Sequence, residues 1–374
     1  MALPSFRPDD PVGADFREAV SEAISAFLAE KGQHLQGIGQ ELEPLHRLAT
    51  EFTAGGKRFR PALCYWGYTA IAEQPEDAGW LVRAAASLDL LHVSALVHDD
   101  VMDASDTRRG VPAVHRQLQQ WHEREHGRGG AEAFGRAGAI LLGDLLLVWS
   151  AEMFDRSGLP MSTRERATRL LEQMREEVTC GQFLDVVSQT QLFADQDALN
   201  PDNLAAELDR IYRVVDYKSA RYSARHPLEI GAALAEAEDS TRVRLGDFGS
   251  LIGRAFQFRD DLLGVFGDED KTGKPAGDDL REGKRTVLVA HALAAAPREQ
   301  ARELDAMLGN PHLEAAQIDR AREIIMGVGA HEAVEGEIAS SVAQALSVLA
   351  ETPVTTEGRE ALELLAAIVV DRQA

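Results

Sequence analysis

The sequence predicts an all-α fold, with about a dozen helices in a single domain over residues 1–374. Long segments rich in Ala and Leu repeat their apolar residues with the period of an α-helix, and Gly, Pro or polar clusters separate these segments. The sustained alternation of apolar and polar residues that marks half-buried strands is not evident. No tandem repeat or Pro/Ser-rich linker divides the chain.

The predicted elements follow this pattern in chain order. Residues 1–14 are expected to be a loosely ordered N-terminal segment, and the polar, Gly-ended stretch 121–136 a loop insertion. Two helices are apolar around their whole circumference, which is typical of helices that pass through the interior. The clearest predicted helices cover 15–30, 80–98, 137–154, 241–268 and 331–351, and those two interior helices are 80–98 and 241–268.

Charge and composition exclude several classes of protein. The 374 residues carry a net charge of −22, so a nucleic-acid partner is not expected. Cys64 and Cys180 lie in apolar helical surroundings, and we expect both to be buried thiols rather than a disulfide. The N-terminal residues lack the layout of a signal peptide. We therefore expect a cytoplasmic protein without stable membrane insertion.

Each interior helix ends in a pair of aspartates, at Asp99–Asp100 and Asp260–Asp261. Bringing several such carboxylates together in a partly buried cleft would be unfavourable unless divalent cations lay among them. Oxygen ligands one helical turn apart suit Mg²⁺, which favours sites completed by phosphate oxygens. Two solvated acidic helix ends are the alternative, but basic residues follow each pair, which favours a Mg²⁺–diphosphate site. The residues concerned are Asp99, Asp103, Arg108 and Arg109 in the first region, and Asp260, Asp261, Lys274 and Lys284 in the second.

Three motifs together resemble the trans-polyprenyl diphosphate synthases, over about residues 50–290. They are "GGKRFRP" at 55–61, "DDVMD" at 99–103 followed by "TRRG", and "FQFRDDLLG" at 256–264. The resemblance implies a helical bundle around a deep cavity, which is usually dimeric. It also implies a Mg²⁺-dependent reaction, the head-to-tail condensation of isopentenyl diphosphate with an allylic diphosphate.

The resemblance also implies a role for each matching residue. The metal residues would be Asp99, Asp100, Asp103, Asp260, Asp261 and Asp185, holding three Mg²⁺ per active site. Isopentenyl diphosphate would be bound by Lys57, Arg60, His92 and Arg109. The allylic diphosphate would be bound by Arg108, Lys218 and Lys274, with Ser219 and Lys284 nearby and Gln257 beside the reacting carbons. The released diphosphate would accept the proton.

One position departs from the family pattern. The second acidic motif usually reads DDxxD, whereas this chain has Gly264 in place of the last carboxylate. Asp268, one turn further along, is a candidate substitute through water. The first two acids of the motif are present, so the catalytic interpretation stands.

The helix before Asp99 predicts the length of the product. Ser94 and Ala95 are small, so the growing tail can pass them, and Leu91 and Leu88 would form the floor. At 1.5 Å per residue the floor lies about 12 to 16 Å from Asp99, which admits three to four isoprene units of about 4–5 Å each. We expect geranylgeranyl diphosphate (C20), with farnesyl or longer products as the alternative.

Other functions remain open on the sequence alone. A class I terpene cyclase shares the first acidic motif, but its second metal motif, of the N-D-x-x-S-x-x-x-E type, is not found here. A catalytically silent partner subunit would be expected to lose the acids of the first motif or the basic clamp, which is Lys57 and Arg60 of "GGKRFRP". A purely structural helical scaffold would have no reason to bury these charges.

Overall fold

Helices account for almost all of the regular structure, which confirms the predicted all-α class. The computed structural model describes residues 5–190, 201–267 and 277–370. Within those ranges the exceptions to helix are turns, connecting segments and one two-stranded hairpin. The two interior helices predicted from the sequence are present, as Gly79–Met102 and Asp239–Phe266.

The elements follow one another in chain order. The helices before the hairpin are α1 Ala14–Ile38, a short 3₁₀ turn Gln40–Leu42, α2 Glu43–Thr53, α3 Phe59–Thr69 and α4 Gly79–Met102. The hairpin pairs β1 Thr107–Arg108 with β2 Val111–Pro112. Then come α5 Val114–Arg124, α6 Ala131–Asp155, α7 Met161–Thr190, α8 Pro201–Val214, a π-helix Val215–Arg225, α9 His226–Leu234 and α10 Asp239–Phe266. The last helices are α11 Asp278–Glu282, α12 Val287–Ala295, α13 Arg298–Met307, α14 Ala315–Gly327, α15 Ala330–Glu351 and α16 Thr356–Val370.

The described residues form two compact units. Unit 1 comprises those within 1–171, 227–242 and 353–364, and unit 2 those within 172–226, 243–352 and 365–374. Each unit is assembled from three separate stretches of chain, so the boundary is not a linker in the sequence. The expectation of one domain over residues 1–374 stays a prediction.

In unit 1, helix α4 is the central element, packed closely against α6. The Ser94 hydroxyl donates to the backbone carbonyl of Gly143 at 2.7 Å, and the Ser150 hydroxyl donates to that of Ser87 at 2.7 Å. Both serines are buried, so each hydroxyl satisfies its hydrogen bond inside the protein. Small side chains at these positions let the two helices approach, which fixes where the acidic end of α4 emerges.

In unit 2, one partly buried polar connection joins three helices. Glu337 of α15 accepts a hydrogen bond from the Tyr212 hydroxyl of α8 at 2.7 Å and lies 2.7 Å from His291 Nε2 of α12. The pKa of Tyr212 is raised by burial and by its bond to Glu337. Because a half-satisfied network would be costly, these two contacts favour one register of the helices.

The N-terminal segment is more ordered than predicted. Phe6 is buried and packs edge-on against Phe16 and Tyr65, with ring centroids 5.2 Å away in both cases. The Trp66 indole nitrogen donates to the Pro11 carbonyl at 2.9 Å. The expectation of a loose segment over residues 1–14 was therefore wrong for its described part, residues 5–13, because an aromatic anchor ties it to α1 and α3.

The predicted loop insertion at 121–136 was also wrong over most of its length. Helix α5 continues to Arg124 and α6 begins at Ala131, which leaves a connection of residues 125–130. The histidine expected in a solvated loop, His122, is buried and lies 3.2 Å from the carbonyl oxygen of Arg128. The many polar residues of the stretch 121–136 made the end of α5 look like a loop, although α5 is an amphipathic helix with one buried face.

Burial also corrects one of the two cysteine predictions. Cys64 is buried as expected, whereas Cys180 is exposed on α7. Among the residues described, two helices are long and apolar enough to cross a membrane, α4 and α6. In α4, 72% of the apolar window is buried inside the protein, as in a core helix, compared with 44% in α6. The expectation of no stable membrane insertion stays a prediction.

Candidate active site

The first acidic motif lies at the C-terminal end of α4 in unit 1. Asp99 is in the last turn, and Asp103 caps the helix, its amide donating to the Asp99 carbonyl at 2.8 Å. Both side chains are partly exposed. Ala104 follows with a left-handed φ of 53°, which ends the helix and turns the chain toward the hairpin. The two carboxylates predicted one turn apart are therefore accessible at one helix end.

Asp100, the second acid of the motif, is buried. Its side chain is 1% exposed, and it accepts hydrogen bonds from Arg108, with Arg108 Nε at 2.8 Å. The carboxylate is turned into the protein and paired with a cation, and its role as a metal ligand stays a prediction. Arg108 lies 4.0 Å from Asp99 as well, so Asp100 holds the guanidinium beside the accessible acid.

The "TRRG" sequence forms the tip of the β-hairpin. Arg109 and Gly110 have φ values of 54° and 77°, as required at the two central residues of a tight I′-type connection. Gly110 adopts this conformation readily, whereas Arg109 is a non-glycine residue in the left-handed region. The turn projects the consecutive arginines differently, so that Arg108 pairs with Asp100 while Arg109 approaches the "GGKRFRP" segment.

The "GGKRFRP" segment is a turn of left-handed residues anchored from inside. Gly55, Gly56 and Arg58 have φ values of 73°, 97° and 51°. The buried Arg58 guanidinium donates to Asp89 Oδ2 at 2.8 Å, and it also bonds Ser21 Oγ and the Thr53 carbonyl, each at 3.0 Å. Arg58 is therefore a structural residue of the motif. Its anchor at Asp89 was not found from the sequence, where an acid inside an apolar helix was the only signal.

The anchored Arg58 fixes the backbone next to the two clamp residues, Lys57 and Arg60. Lys57 is exposed and Arg60 is buried at the start of α3. A Cβ at Gly56 would lie 3.9 Å from both terminal nitrogens of Arg109, which brings the hairpin arginine to this turn.

The arginines of unit 1 also influence one another electrostatically. Partial burial lowers the pKa of Arg109, the cations Arg108, Arg58 and Arg60 lower it further, and Asp89 raises it. Arg60 and Arg109, which were predicted to bind the same diphosphate, therefore lie within one cationic cluster. An anion would relieve this mutual repulsion.

The four predicted chain-length residues lie on α4 before Asp99. Leu88 and Leu91 are buried, and Ala95 is half-buried. Ser94 is buried, with its hydroxyl bonded to Gly143. A larger side chain at 94 would therefore disturb the packing of α4 on α6, whereas one at Ala95 has more room. His92 is half-buried on the same helix, and its role stays a prediction.

In unit 2, Lys218 and Asp185 form an ion pair; the resemblance had placed Lys218 at the allylic diphosphate and Asp185 among the metal residues. The Lys218 ammonium donates to Asp185 Oδ2 at 2.6 Å, and Gln189 Nε2 donates to the same oxygen at 3.3 Å. A Cβ on Gly181 would lie 2.3 Å from the Lys218 amide nitrogen, so only glycine allows α7 to approach the π-helix this closely. Lys218 and the buried Ser219 both lie in the π-helix, an element often associated with functional sites.

The second acidic motif lies in the last turns of α10. Asp260 is partly exposed, whereas Asp261 is buried and accepts a hydrogen bond from Gln257 Nε2 at 2.7 Å. The pKa of Asp261 is raised to about 8, chiefly by burial and also by the charges of Asp279 and Asp260, while Gln257 and Lys284 act to lower it. A cation at this end of α10 would remove the cost of crowding these carboxylates.

Asp279 of α11 was missed by the sequence reasoning. It is buried and receives an ion pair from Lys284 Nζ at 3.0 Å, while Lys284 also contacts Glu282 at 2.5 Å. The Gly-Asp-Asp sequence at 277–279 was the available signal. Lys284 is thus close to the second acidic motif, as expected. Lys274 and Asp268, also predicted near this motif, lie outside the described residues.

The donor atoms available fit Mg²⁺ better than a softer metal. In the described part of the chain, no set of three or more His, Cys, Asp or Glu side chains is arranged to enclose a metal ion by itself. Asp99, Asp103 and Asp260 instead offer partly exposed carboxylate oxygens, and Arg108 lies 4.0 Å from Asp99. Mg²⁺ typically binds through one or two carboxylates and completes its shell with water and phosphate oxygens. The residues present therefore fit a Mg²⁺–diphosphate.

Comparison with known proteins shows which protein family this chain matches. The sequence pattern of the polyprenyl synthetase family matches residues 42–325. The geranylgeranyl diphosphate synthase of Saccharolobus solfataricus is 31% identical over 326 residues, 86% of this chain and 88% of that protein. The geranylfarnesyl diphosphate synthase of Aeropyrum pernix is 32% identical over 323 residues, 85% of this chain and 91% of that protein.

A solved structure is similar over nearly its whole length. It is the geranylgeranyl pyrophosphate synthase of Corynebacterium glutamicum, complexed with isoprenyl diphosphate and magnesium. The TM-score is 0.87 at 36% sequence identity, and the match covers 96% of this chain and 99% of that one. This similarity extends well beyond the three motifs.

Adjacent residues of the "GGKRFRP" segment should respond differently to substitution. Arg58→Ala leaves the buried Asp89 carboxylate without its partner and should lower the free energy of unfolding by about 3–5 kcal/mol. Lys57→Ala removes an exposed cation and should change it by no more than about 0.5 kcal/mol, while weakening the binding of inorganic pyrophosphate. Denaturant unfolding and calorimetric titration measure the two effects. Equal loss of stability in both variants would contradict this division of roles.

Proposed function

Because the chain belongs to the polyprenyl synthetase family, we propose that it makes geranylgeranyl diphosphate (C20) by Mg²⁺-dependent condensation of isopentenyl diphosphate with an allylic diphosphate. The chain is a prenyltransferase that elongates prenyl chains, as its relatives and structural neighbours indicate. The proposal adds the product, the metal and the roles of individual residues. It favours an active synthase over a silent partner subunit, since the acids of the first motif and the basic clamp are both retained.

The observation that carries the proposal is the grouping of cations beside accessible carboxylates in unit 1. Arg108 lies next to Asp99, and Arg60 and Arg109 belong to one cationic cluster. Arg60 is buried, and a surface whose charges served only solubility would not need a buried arginine. A diphosphate ligand with bound cations satisfies both signs of charge at once.

Each group in the proposed reaction has a defined task. When bound, Mg²⁺ would supply positive charge to the diphosphate oxygens and so ease departure of the leaving group. Asp99, Asp103 and Asp260 would hold the ions, three of them in the proposal. Arg108 and Lys218 would hold the allylic diphosphate and stabilise the charge that develops on it.

The bonding changes balance without a protein base. The allylic carbon–oxygen bond breaks, and diphosphate leaves with the electron pair. The double bond of isopentenyl diphosphate, held by Lys57, Arg60 and Arg109, attacks the allylic cation and forms the new carbon–carbon bond. The released diphosphate accepts the proton that is then lost. His92 and Gln257 would orient the reactants, and apolar walls would exclude water.

The C20 product follows from the residues of α4. Half-buried Ala95 leaves the path of the tail open, and the buried Leu91 and Leu88 would form its floor. Geranylgeranyl and geranylfarnesyl synthases both occur among the relatives, so C25 is the nearest alternative.

The proposal also includes a homodimer in the cytoplasm, with α6 as the contact helix. Leu141 and Val148 are 58% and 60% exposed, seven residues apart on one face, and Phe134 precedes them by another seven. Seven residues are close to two helical turns, so these side chains form a continuous apolar stripe. A second copy of the chain would cover this stripe.

The metal ligands are tested by removing one accessible carboxylate. Asp99→Asn or Asp103→Asn should lower the condensation rate by about a hundredfold or more. Either change should leave the melting temperature of the metal-free protein unchanged, because it removes charge from a crowded cluster. Rates come from labelled isopentenyl diphosphate with each allylic primer.

Thermal melting provides the complementary test. Mg²⁺ with inorganic pyrophosphate should raise the melting temperature of the wild type, and each variant should lose most of that increase. Asp106→Asn is the matched control, since Asp106 lies in the connection that follows α4 and forms an exposed ion pair with Arg116. Near-normal turnover in Asp99→Asn would overturn the metal assignment.

Product length is tested at Ala95. Ala95→Phe should shorten the main product toward C15 with activity retained, because the ring would narrow the path along α4. Ala95→Ser changes volume little and is the matched control. Chromatography of the dephosphorylated products gives the distribution. An unchanged distribution in Ala95→Phe would mean that the tail follows another helix.

The proposed dimer is tested on the α6 stripe. Leu141→Glu with Val148→Glu should convert the dimer to a monomer, since two carboxylates would be buried at the contact. Ile38→Glu, at a position 66% exposed on α1, is the control for a surface charge. Light scattering after size-exclusion chromatography gives the mass. A monomeric wild type would contradict the proposal.

A further inference from the structure

The space beside Gly264 is filled by a carboxylate from another helix. A Cβ placed on Gly264 would lie 1.9 Å from Oδ2 of Asp279 and 2.3 Å from its Cγ. No real side chain can come this close to another atom group, so any residue with a side chain at 264 would displace Asp279. The carboxyl group of Asp279 therefore lies where a side chain at position 264 would begin.

Position 264 is the one at which this chain departs from the acidic motif of its family. The motif "DDLLG" has its two leading acids at Asp260 and Asp261, and Gly264 stands one turn after Asp260. A carboxylate at 264 would have shared a helix face with Asp260 and Asp261. The structure shows a carboxylate at this place, but it comes from α11 rather than α10.

The local backbone and one ion pair hold Asp279 in this orientation. Helix α11 is a short element bounded by Gly277 and Gly283, with φ values of 72° and 70°. Lys284 Nζ lies 3.0 Å from Asp279 Oδ1, while Oδ2 faces Gly264. One oxygen is thus fixed by a cation and the other is directed at the end of α10.

The carboxylates at this end of α10 are largely withdrawn from water. Asp261 is 5% exposed and Asp279 is 8% exposed. Buried acids are unfavourable without a compensating cation. Lys284 compensates part of their charge, and a metal–diphosphate would compensate the rest.

We infer that Asp279 supplies the carboxylate that the second acidic motif lacks at Gly264, so that the third acid of this site is contributed by α11. Gly264 and Asp279 then form one functional unit, in which the glycine provides the room for the relocated carboxylate. Asp279 acts toward Mg²⁺ of the second motif, directly or through its bound water. The inference rests on the proposed function, because it concerns the same metal–diphosphate.

A purely structural role for Asp279 makes a different prediction. If Asp279 only held Lys284 in place, its loss would weaken diphosphate binding through Lys284 but leave the number of bound metal ions unchanged. A carboxylate returned to position 264 would then bring no recovery, because it would not restore the ion pair. Metal stoichiometry and positional rescue therefore separate the two roles.

The experiment counts metal ions in the full-length protein. Mn²⁺ replaces Mg²⁺, since both prefer oxygen ligands in octahedral geometry, and inorganic pyrophosphate is the companion ligand. Electron paramagnetic resonance of free Mn²⁺ gives the ions bound per chain in the wild type, Asp279→Asn, Asp279→Ala and the double variant Gly264→Asp/Asp279→Ala. Asp278→Asn, next to Asp279 on α11, is the matched control. Circular dichroism and thermal melting establish that each variant is folded.

Asp279→Asn and Asp279→Ala should bind one ion fewer per chain than the wild type, or bind the last ion at least about tenfold more weakly. The double variant should recover it, because the aspartate introduced at position 264 would occupy the vacated space. Asp278→Asn should match the wild type. Undiminished Mn²⁺ binding in both single variants would overturn the inference.

If the folded double variant does not recover the Mn²⁺ ion, the inference is also overturned. If the wild type itself binds no Mn²⁺ with pyrophosphate, the proposed function fails instead.

Packing gives a second, metal-free test of the same geometry. Gly264→Ala alone should lower the melting temperature, since its Cβ would collide with the Asp279 carboxyl group. The same change in an Asp279→Ala background should cost much less, so the two effects should not be additive. Additive losses would mean that Asp279 does not occupy the space beside Gly264.

Discussion

The burial of carboxylates within the helical units is the constraint on which the candidate site depends in each unit. Charged groups cannot be removed from water at low cost unless a partner of opposite sign accompanies them. In unit 1, Asp100 is paired with Arg108 and Asp89 with Arg58. In unit 2, Asp185 is paired with Lys218 and Asp279 with Lys284. Each acid that the fold buries in these four pairs thus has a cation from a neighbouring element.

This pairing divides each motif into residues that build the site and residues that remain available to a ligand. In "DDVMD", Asp100 is turned inward and holds an arginine, while Asp99 and Asp103 stay accessible. In "GGKRFRP", Arg58 is the internal anchor and Lys57 is exposed. In the proposed reaction, a diphosphate with divalent cations would meet groups whose geometry has already been fixed by buried ion pairs.

Close approach between helices is the second requirement of the fold. Glycines at 181 and 264 let a neighbouring element come within a distance that any side chain would forbid. At 181 the neighbour is the backbone of the π-helix that carries Lys218, and at 264 it is the carboxylate of Asp279. In the second case the missing side chain has a chemical consequence, since the space of one acidic residue is taken by another from a different helix.

The sequence by itself determined the helical class, the two interior helices and the chemistry of the site, because helical periodicity and clustered charges are local properties of the chain. Family resemblance also pointed to Lys218 and Asp185 as site residues, but not to the ion pair between them. The sequence did not predict contacts between distant segments. Examples are the packing of Phe6 against Tyr65, the inward orientation of Asp100, and the position of Asp279 beside Gly264. Whether a carboxylate faces a ligand or a buried arginine depends on packing between elements, which only the tertiary structure decides.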